Sequence, residues 1–255
     1  MVEAPISVPL NPPAAAGHDR PLRAHEKATY AAGDVAEGGL NFALATFLLF
    51  YLTAVCGLPG TLAGLALSLS LAVDAVLDPI IGYLSDHTRS RWGRRHPFLI
   101  GASLPLCVAL ALLFNLPPLS GGALFAWVLG LLIVKRALQS MFFLSYGAMG
   151  AELSRDYAER SSITAYRSIC NSIGALVALF LGYGVFLKGD AALVDRQAYG
   201  AYGWTVAAIL FGFMAICGFG TLGLRGRLHA VGEDPPSLGR FLSDVRDAAR
   251  NRSFV

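Results

Sequence analysis

Two carboxylates, Asp74 and Asp78, stand four residues apart inside an apolar run that begins near Gly60. On a helix that spacing puts both on one face. A carboxylate within a membrane span is costly and faces a wet interior or a partner. Two on one face repel unless a cation or a proton lies between them, which is the chemistry of a coupling-ion site. Pro79 follows directly. It donates no backbone hydrogen bond, so the carbonyl of Ala75 is freed as a further oxygen ligand and a kink is expected.

The elements that must carry these residues are membrane helices. Of the 255 residues 55% are hydrophobic and 15% charged, against about 25% charged in a soluble domain. The apolar runs are long and do not alternate, so the fold class is all-α, with six transmembrane helices predicted at about 35–57, 60–84, 97–116, 122–149, 163–187 and 203–224. Lipid admits only structures that satisfy their own backbone, and Pro97 suits a first helical turn. Residues 1–33 read as a disordered cytoplasmic tail with no signal peptide, 34–228 as the six-helix bundle, and 229–255 as an amphipathic cytoplasmic linker. In that linker Leu238, Phe241, Leu242, Val245 and Ala249 recur at helical spacing, fitting a helix on the inner leaflet or one docked on the bundle. Arg89, Arg91, Arg94, Arg95, Arg155, Arg160 and the arginines after span 6 fall on one side, against Lys188 and Arg196 on the other. The basic side is cytoplasmic, with both termini inside, in a plasma or inner membrane.

Charges within the spans are few. Lys135 and Arg136 on span 4 lie at the depth of Asp74, as its partners or as ligands of an anionic substrate. Arg167, about one turn into span 5, is a counter-ion for the carboxylates or snorkels to the headgroups. Gln139, Ser140, Tyr146 and Asn171 are polar groups able to line the same cavity, or to bond between packed helices. Gly38, Gly39, Gly147 and Gly150 mark close helix contact. The four cysteines form no CxxC pair, and the five histidines fall outside the spans with no HExxH or GxSxG motif. These patterns exclude the common metal and nucleophile motifs, so no enzyme and no cofactor are expected.

Asp74-Ala-Val-Leu-Asp78-Pro-Ile-Ile-Gly82 and then Thr88-Arg-Ser-Arg-Trp-Gly-Arg-Arg-His-Pro97 resemble the glycoside–pentoside–hexuronide:cation symporter family (melibiose permease-like), within the major facilitator superfamily. Gly150-Ala-Glu-Leu-Ser-Arg-Asp-Tyr-Ala-Glu-Arg160 resembles that family's second cytoplasmic loop. The resemblance implies twelve helices in two halves, of which this chain supplies the first, with the C-terminal half beyond residue 255. It implies that the cation-site aspartates fall on Asp74 and Asp78, the span-4 hydroxyl on Ser140 and the span-5 arginine on Arg167. It also implies a gate loop of Gly82, Asp86, Arg91, Gly93, Arg94 and Arg95. The chain departs from the pattern at Leu77, where the family has a cation-ligating asparagine, and at Gly38, Phe143 and Gly147, where it has sugar-binding residues. Those departures keep the cation machinery, remove the galactoside grip and make a proton a simpler coupling ion than sodium.

The expected function is therefore cation-coupled symport (H+ or Na+) of a small solute, a sugar or glycoside, by alternating access. Lys135, Arg136, Gln139, Phe143, Tyr146 and Asn171 would line its cavity. The expected partners are the solute, the coupling cation, the lipid bilayer and a second six-helix half, with no nucleic acid. The rival readings are a transporter of an amphipathic or lipid-like solute and a non-transporting membrane sensor.

Overall fold

The computed structural model describes residues 21–88, 90–154 and 156–228, and within them it is all-helical. The predicted amphipathic linker lies outside the described residues.

Helix α1, Ala24–Ala43, begins inside the segment expected as tail. Its start is held by a neighbouring residue and by residues of a later helix, Tyr157–Leu179. Glu26 Oε2 accepts the backbone N–H of Arg23 at 2.8 Å, and the carboxylate of Glu159, far along the chain, accepts the N–H of Leu22. Lys27 Nζ adds a hydrogen bond to Ser162 at 3.2 Å. Beyond Ala43 the helical path continues through two π-helical segments, Leu44–Leu48 and Tyr51–Val55, and turns at Gly57, whose φ of 71° suits glycine.

Helix α2, Gly60–His87, runs unbroken through Pro79. Helix α3, His96–Leu113, carries Pro97 in its first turn, where no N–H is needed. Helix α4 spans Gly121–Leu153. Helix α5, Tyr157–Leu179, is capped by Asp156, which accepts the N–H of Glu159 at 2.8 Å, and continues as a π-helical segment, Phe180–Phe186. A short α6, Asp190–Leu193, leads to α7, Arg196–Gly220.

Among the described residues five helices, α2, α3, α4, α5 and α7, are long and apolar enough to cross a bilayer, so the chain is a multi-pass membrane protein. The region expected as the first span is the continuous path from Ala24 to Val55, which carries Asp34 and Glu37.

The principal contacts between helices run in series, α2 to α4, α4 to α3, α3 to α7, α7 to α1 and α1 to α5. Aromatic side chains fill the centre: Tyr51 lies 4.8 Å from Tyr199 and 5.9 Å from Phe114, centroid to centroid. Buried hydroxyls find partners, as they must away from water; Tyr202 Oη donates to the carbonyl of Ala178 at 3.2 Å. Helices α1 and α5 touch backbone to backbone. A side chain at Gly38 would overlap the carbonyl of Asn171, and one at Gly174 would overlap that of Val35. Small residues permit this approach, which dispersion favours in lipid.

Candidate functional site

The first cluster lies between α2 and α4. The Ser140 hydroxyl donates to Asp78 Oδ1 at 2.5 Å and stands 3.2 Å from Asp74 Oδ1. Arg136 Nη1 reaches Asp74 Oδ2 at 3.0 Å. Each helix presents two polar residues four apart, and the two pairs face each other because both repeat at one helical turn. Nearer the loop that follows α2, the Ser85 and Ser145 hydroxyls share a hydrogen bond of 2.8 Å and tie the same two helices again. Lys135 is buried beside the cluster, within electrostatic reach of Asp74 and Arg136. Asp74, Asp78, Arg136 and Ser140 thus come together, and Arg136 takes the first of its two expected roles, as partner of an acid.

Arg167 belongs to a second cluster, between α1, α4 and α5. Its Nε and Nη2 donate to Asp34 Oδ2 at 2.6 Å and Oδ1 at 3.2 Å. Tyr146 Oη donates to the same Asp34 Oδ2 at 2.6 Å. The guanidinium lies over the Tyr146 ring, 4.8 Å from its centroid, a cation–π geometry. Tyr30 and Tyr146 stack 4.5 Å apart; the Tyr30 hydroxyl donates to the Tyr146 carbonyl at 2.9 Å, and the Tyr146 hydroxyl, whose proton goes to Asp34, stands 3.1 Å from the Tyr30 carbonyl. Arg167 therefore pairs with an acid on α1, not with the α2 carboxylates expected from its depth. Tyr146 is fully buried and positions this ion pair instead of lining open space.

Asp34 was missed by sequence reasoning because it sits at the edge of the apolar run, just before the span assigned from 35. Glu37, three residues on and sharing the field of Asp34 and Arg167, falls inside the span assigned from 35 and was not weighed there. The available signal was an acid at i and i+3 in a Gly/Ala-rich helix. A cavity of about 470 Å³ opens beside this cluster, lined by Asp34, Thr164, Arg167, Ser168, Asn171 and Ser172. Asn171 lines this cavity, beside Asp34 and Arg167, where the expectation was one shared with Asp74 and Asp78. Gln139 instead donates to Asn41 Oδ1 at 3.4 Å, and Phe143 packs edge-on against Tyr146 at 6.4 Å and is half-buried.

The loop after α2 forms a third cluster. Glu152 Oε1, on α4, accepts from Arg94 Nη2 at 2.5 Å and from Arg95 Nε and Nη2 at 3.1 and 2.8 Å. Gly93 turns the loop at a φ of 90°, and its N–H bonds the Ser90 carbonyl at 2.9 Å. Arg91 lies over the Trp92 ring at 5.3 Å. Gly82 is on α2, and the Asp86 side chain lies outside what the structure describes. The unforeseen member is Glu152, which gathers two arginines expected to act as a gate.

Compared with known proteins, residues 29–255 match the family model for MFS/sugar transport protein. The chain is 32% identical to the uncharacterized symporter sll1374 of Synechocystis over 88% of its own length and 41% of that relative. It is 27% identical to the inner membrane symporter YicJ of Escherichia coli, covering 90% of this chain and 48% of the relative. Against the isoprimeverose transporter of Lactiplantibacillus pentosus it is 26% identical, over 82% and 43% of the two chains. The chain thus spans less than half the length of these relatives.

Proposed function

Because the chain belongs to the MFS/sugar transport protein family, we propose that it is the first six-helix half of a cation-coupled symporter that moves a small solute by alternating access. The family is one of transporters, not enzymes. The observation that carries the reading is the Ser140 hydroxyl set between two carboxylates one turn apart on α2. Three oxygens converge there from two helices, and the two acids repel unless something positive joins them. A cation or proton binding at this point ties α2 to α4, and binding that favours one packing of the helices shifts the population between inward- and outward-open states.

For the solute we favour a sugar or glycoside. The cavity beside Asp34 and Arg167 is lined by hydroxyl, amide and paired charged groups, a set that donates to and accepts from a polyol, and one relative is named for isoprimeverose. The arginine-rich loop after α2 supports a cytoplasmic side for that face by the positive-inside rule, and the name of another relative supports an inner membrane. Asp86, Arg91, Arg94 and Arg95 would gate the inner side, and a second six-helix half would close the cavity.

The test is transport by the full-length protein in proteoliposomes, with sodium and pH gradients imposed separately and radiolabelled pentosides and hexosides as probes. Asp78→Asn should abolish accumulation while leaving exchange at equal concentrations. Accumulation by the Asp74→Asn/Asp78→Asn protein against a gradient would make the pair structural and defeat this reading.

A further inference from the structure

The two carboxylates of α2 are not equivalent. Among the described side chains Asp78 bonds only Ser140. Asp74 turns Oδ1 toward the same hydroxyl and Oδ2 toward Arg136. The guanidinium already supplies one positive charge to a pair that carries two negative ones. A monovalent cation seated among Asp74 Oδ1, Asp78 Oδ1 and Ser140 Oγ would lie one carboxylate's width from that guanidinium. Over such a distance, at a partly wet site, like-charge repulsion is of the same order as the attraction that holds the ion pair.

Arg136 is not fixed in place by burial. Its side chain is 27% exposed, and one bond to Asp74 uses a single donor of five. A second resting place is at hand. Gln139 is three residues further along α4, on the same helix face, and its Oε1 is buried without a hydrogen-bond partner, while its Nε2 donates to Asn41 on α1. An unpartnered buried carbonyl is costly, and a guanidinium swung away from Asp74 can donate to it.

We propose that Arg136 is a tethered competitor of the coupling cation, the guanidinium and a monovalent cation being alternative partners of the Asp74–Asp78 pair, with Gln139 receiving the arginine when the cation holds the carboxylates. This rests on the transport reading only in naming the cation a coupling ion. Exchange of the arginine from Asp74 to Gln139 carries the charge change at α2 toward α1, whose Asn41 holds the other side of Gln139. Arg136 is then a positioning residue for cation selectivity and not itself a cation ligand.

The experiment measures saturable binding of radiolabelled sodium to the purified full-length protein in nanodiscs at fixed pH, without solute, so that its outcome does not depend on transport. Arg136→Gln should bind sodium about tenfold more tightly than the wild type, or acquire binding where the wild type shows none. Asp78→Asn in the Arg136→Gln background should abolish it. Gln139→Leu removes the second resting place and should weaken binding, the opposite direction from its neighbour. If Arg136→Gln does not yield a monodisperse protein, Arg136→Lys, with a shorter reach and no planar fork, should shift affinity the same way by less. Sodium affinity unchanged or lowered on replacing Arg136, no binding by any variant, or tighter binding by Gln139→Leu would each overturn the proposal.

Discussion

Arg167 holds Asp34 by two hydrogen bonds, Nε to Oδ2 at 2.6 Å and Nη2 to Oδ1 at 3.2 Å. This joins α5 to α1 next to the point where their backbones touch at Gly38 and Gly174. The two partners differ in access. The Asp34 side chain is 4% exposed and the Arg167 side chain 31%. With Tyr146 the carboxylate accepts a third hydrogen bond, while Arg167 lines the cavity with Thr164, Ser168 and Asn171. The acid therefore orients the arginine, and the arginine is the more accessible of the two.

Removing the acid leaves the guanidinium without the carboxylate it bonds. Asp34→Asn should cost about 3 kcal/mol, the lower end for a broken buried ion pair because Arg167 is partly exposed. Asp34→Asn/Arg167→Gln should recover part of that loss. Unfolding in a mild detergent, followed by the near-ultraviolet signal of Tyr30 and Tyr146, reads both effects. Additive losses in the double variant would show that the pair is not energetically coupled.

The helix crossing gives a sharper contrast. Gly174→Ala places a methyl against the Val35 carbonyl and forces α1 and α5 apart, and overpacking of this kind costs about 1–3 kcal/mol. Gly130→Ala on α4, where a methyl meets open space, should be neutral or slightly stabilising. Thermal unfolding of the two purified variants side by side tests this, and equal midpoints would contradict the crossing.

At the loop after α2, Glu152→Gln should loosen the clamp on Arg94 and Arg95. A neutral amide accepts weaker hydrogen bonds than a carboxylate and offers no ion pair. Deuterium exchange of the 90–96 backbone should rise, together with thiol labelling of a cysteine placed at Ser90. Unaltered exchange would place the anchor of this loop elsewhere.

Orientation is open to direct measurement. A cysteine at Ser120, just before α4, should react with a membrane-impermeant maleimide in intact cells, and one at Ser90 should react only after permeabilisation. Labelling of Ser90 from outside would invert the assignment of the arginine-rich face to the cytoplasm.

Ser140→Ala removes the hydroxyl that both α2 carboxylates share. With the transport reading correct, accumulation driven by the cation gradient should fall about tenfold or more, and Ser140→Thr should restore it by returning the oxygen. Loss in both variants alike would mean that the hydroxyl's volume matters, not its hydrogen bonds.

What the sequence determined by itself was everything that depends on period and on cost. Long apolar runs broken by glycine and proline can only be helices in lipid. Asp74 with Asp78, and Arg136 with Ser140, each share a face because 3.6 residues make a turn. Their common depth pointed to the contact between Asp74 and Arg136 that the structure contains. Depth, however, says nothing about which way round a helix a side chain points, or which helix stands opposite. That is why depth alone assigns Arg167 to the acids of α2 when its partner is Asp34 on α1, and places Tyr146 in open cavity when it is sealed between Tyr30 and Arg167. The start of α1 was hidden for a related reason. Residues 24–33 are too polar to read as a span, and the contacts that dock this end, Glu159 on the Leu22 N–H and Ser162 on Lys27, come from residues 137 and 135 positions further along the chain. Gly38 marked a close helix contact without naming its partner; the packing of α1 on α5 sets it against Asn171 and Gly174 against Val35 and Gly39, and that packing sets Asp34 within reach of Arg167.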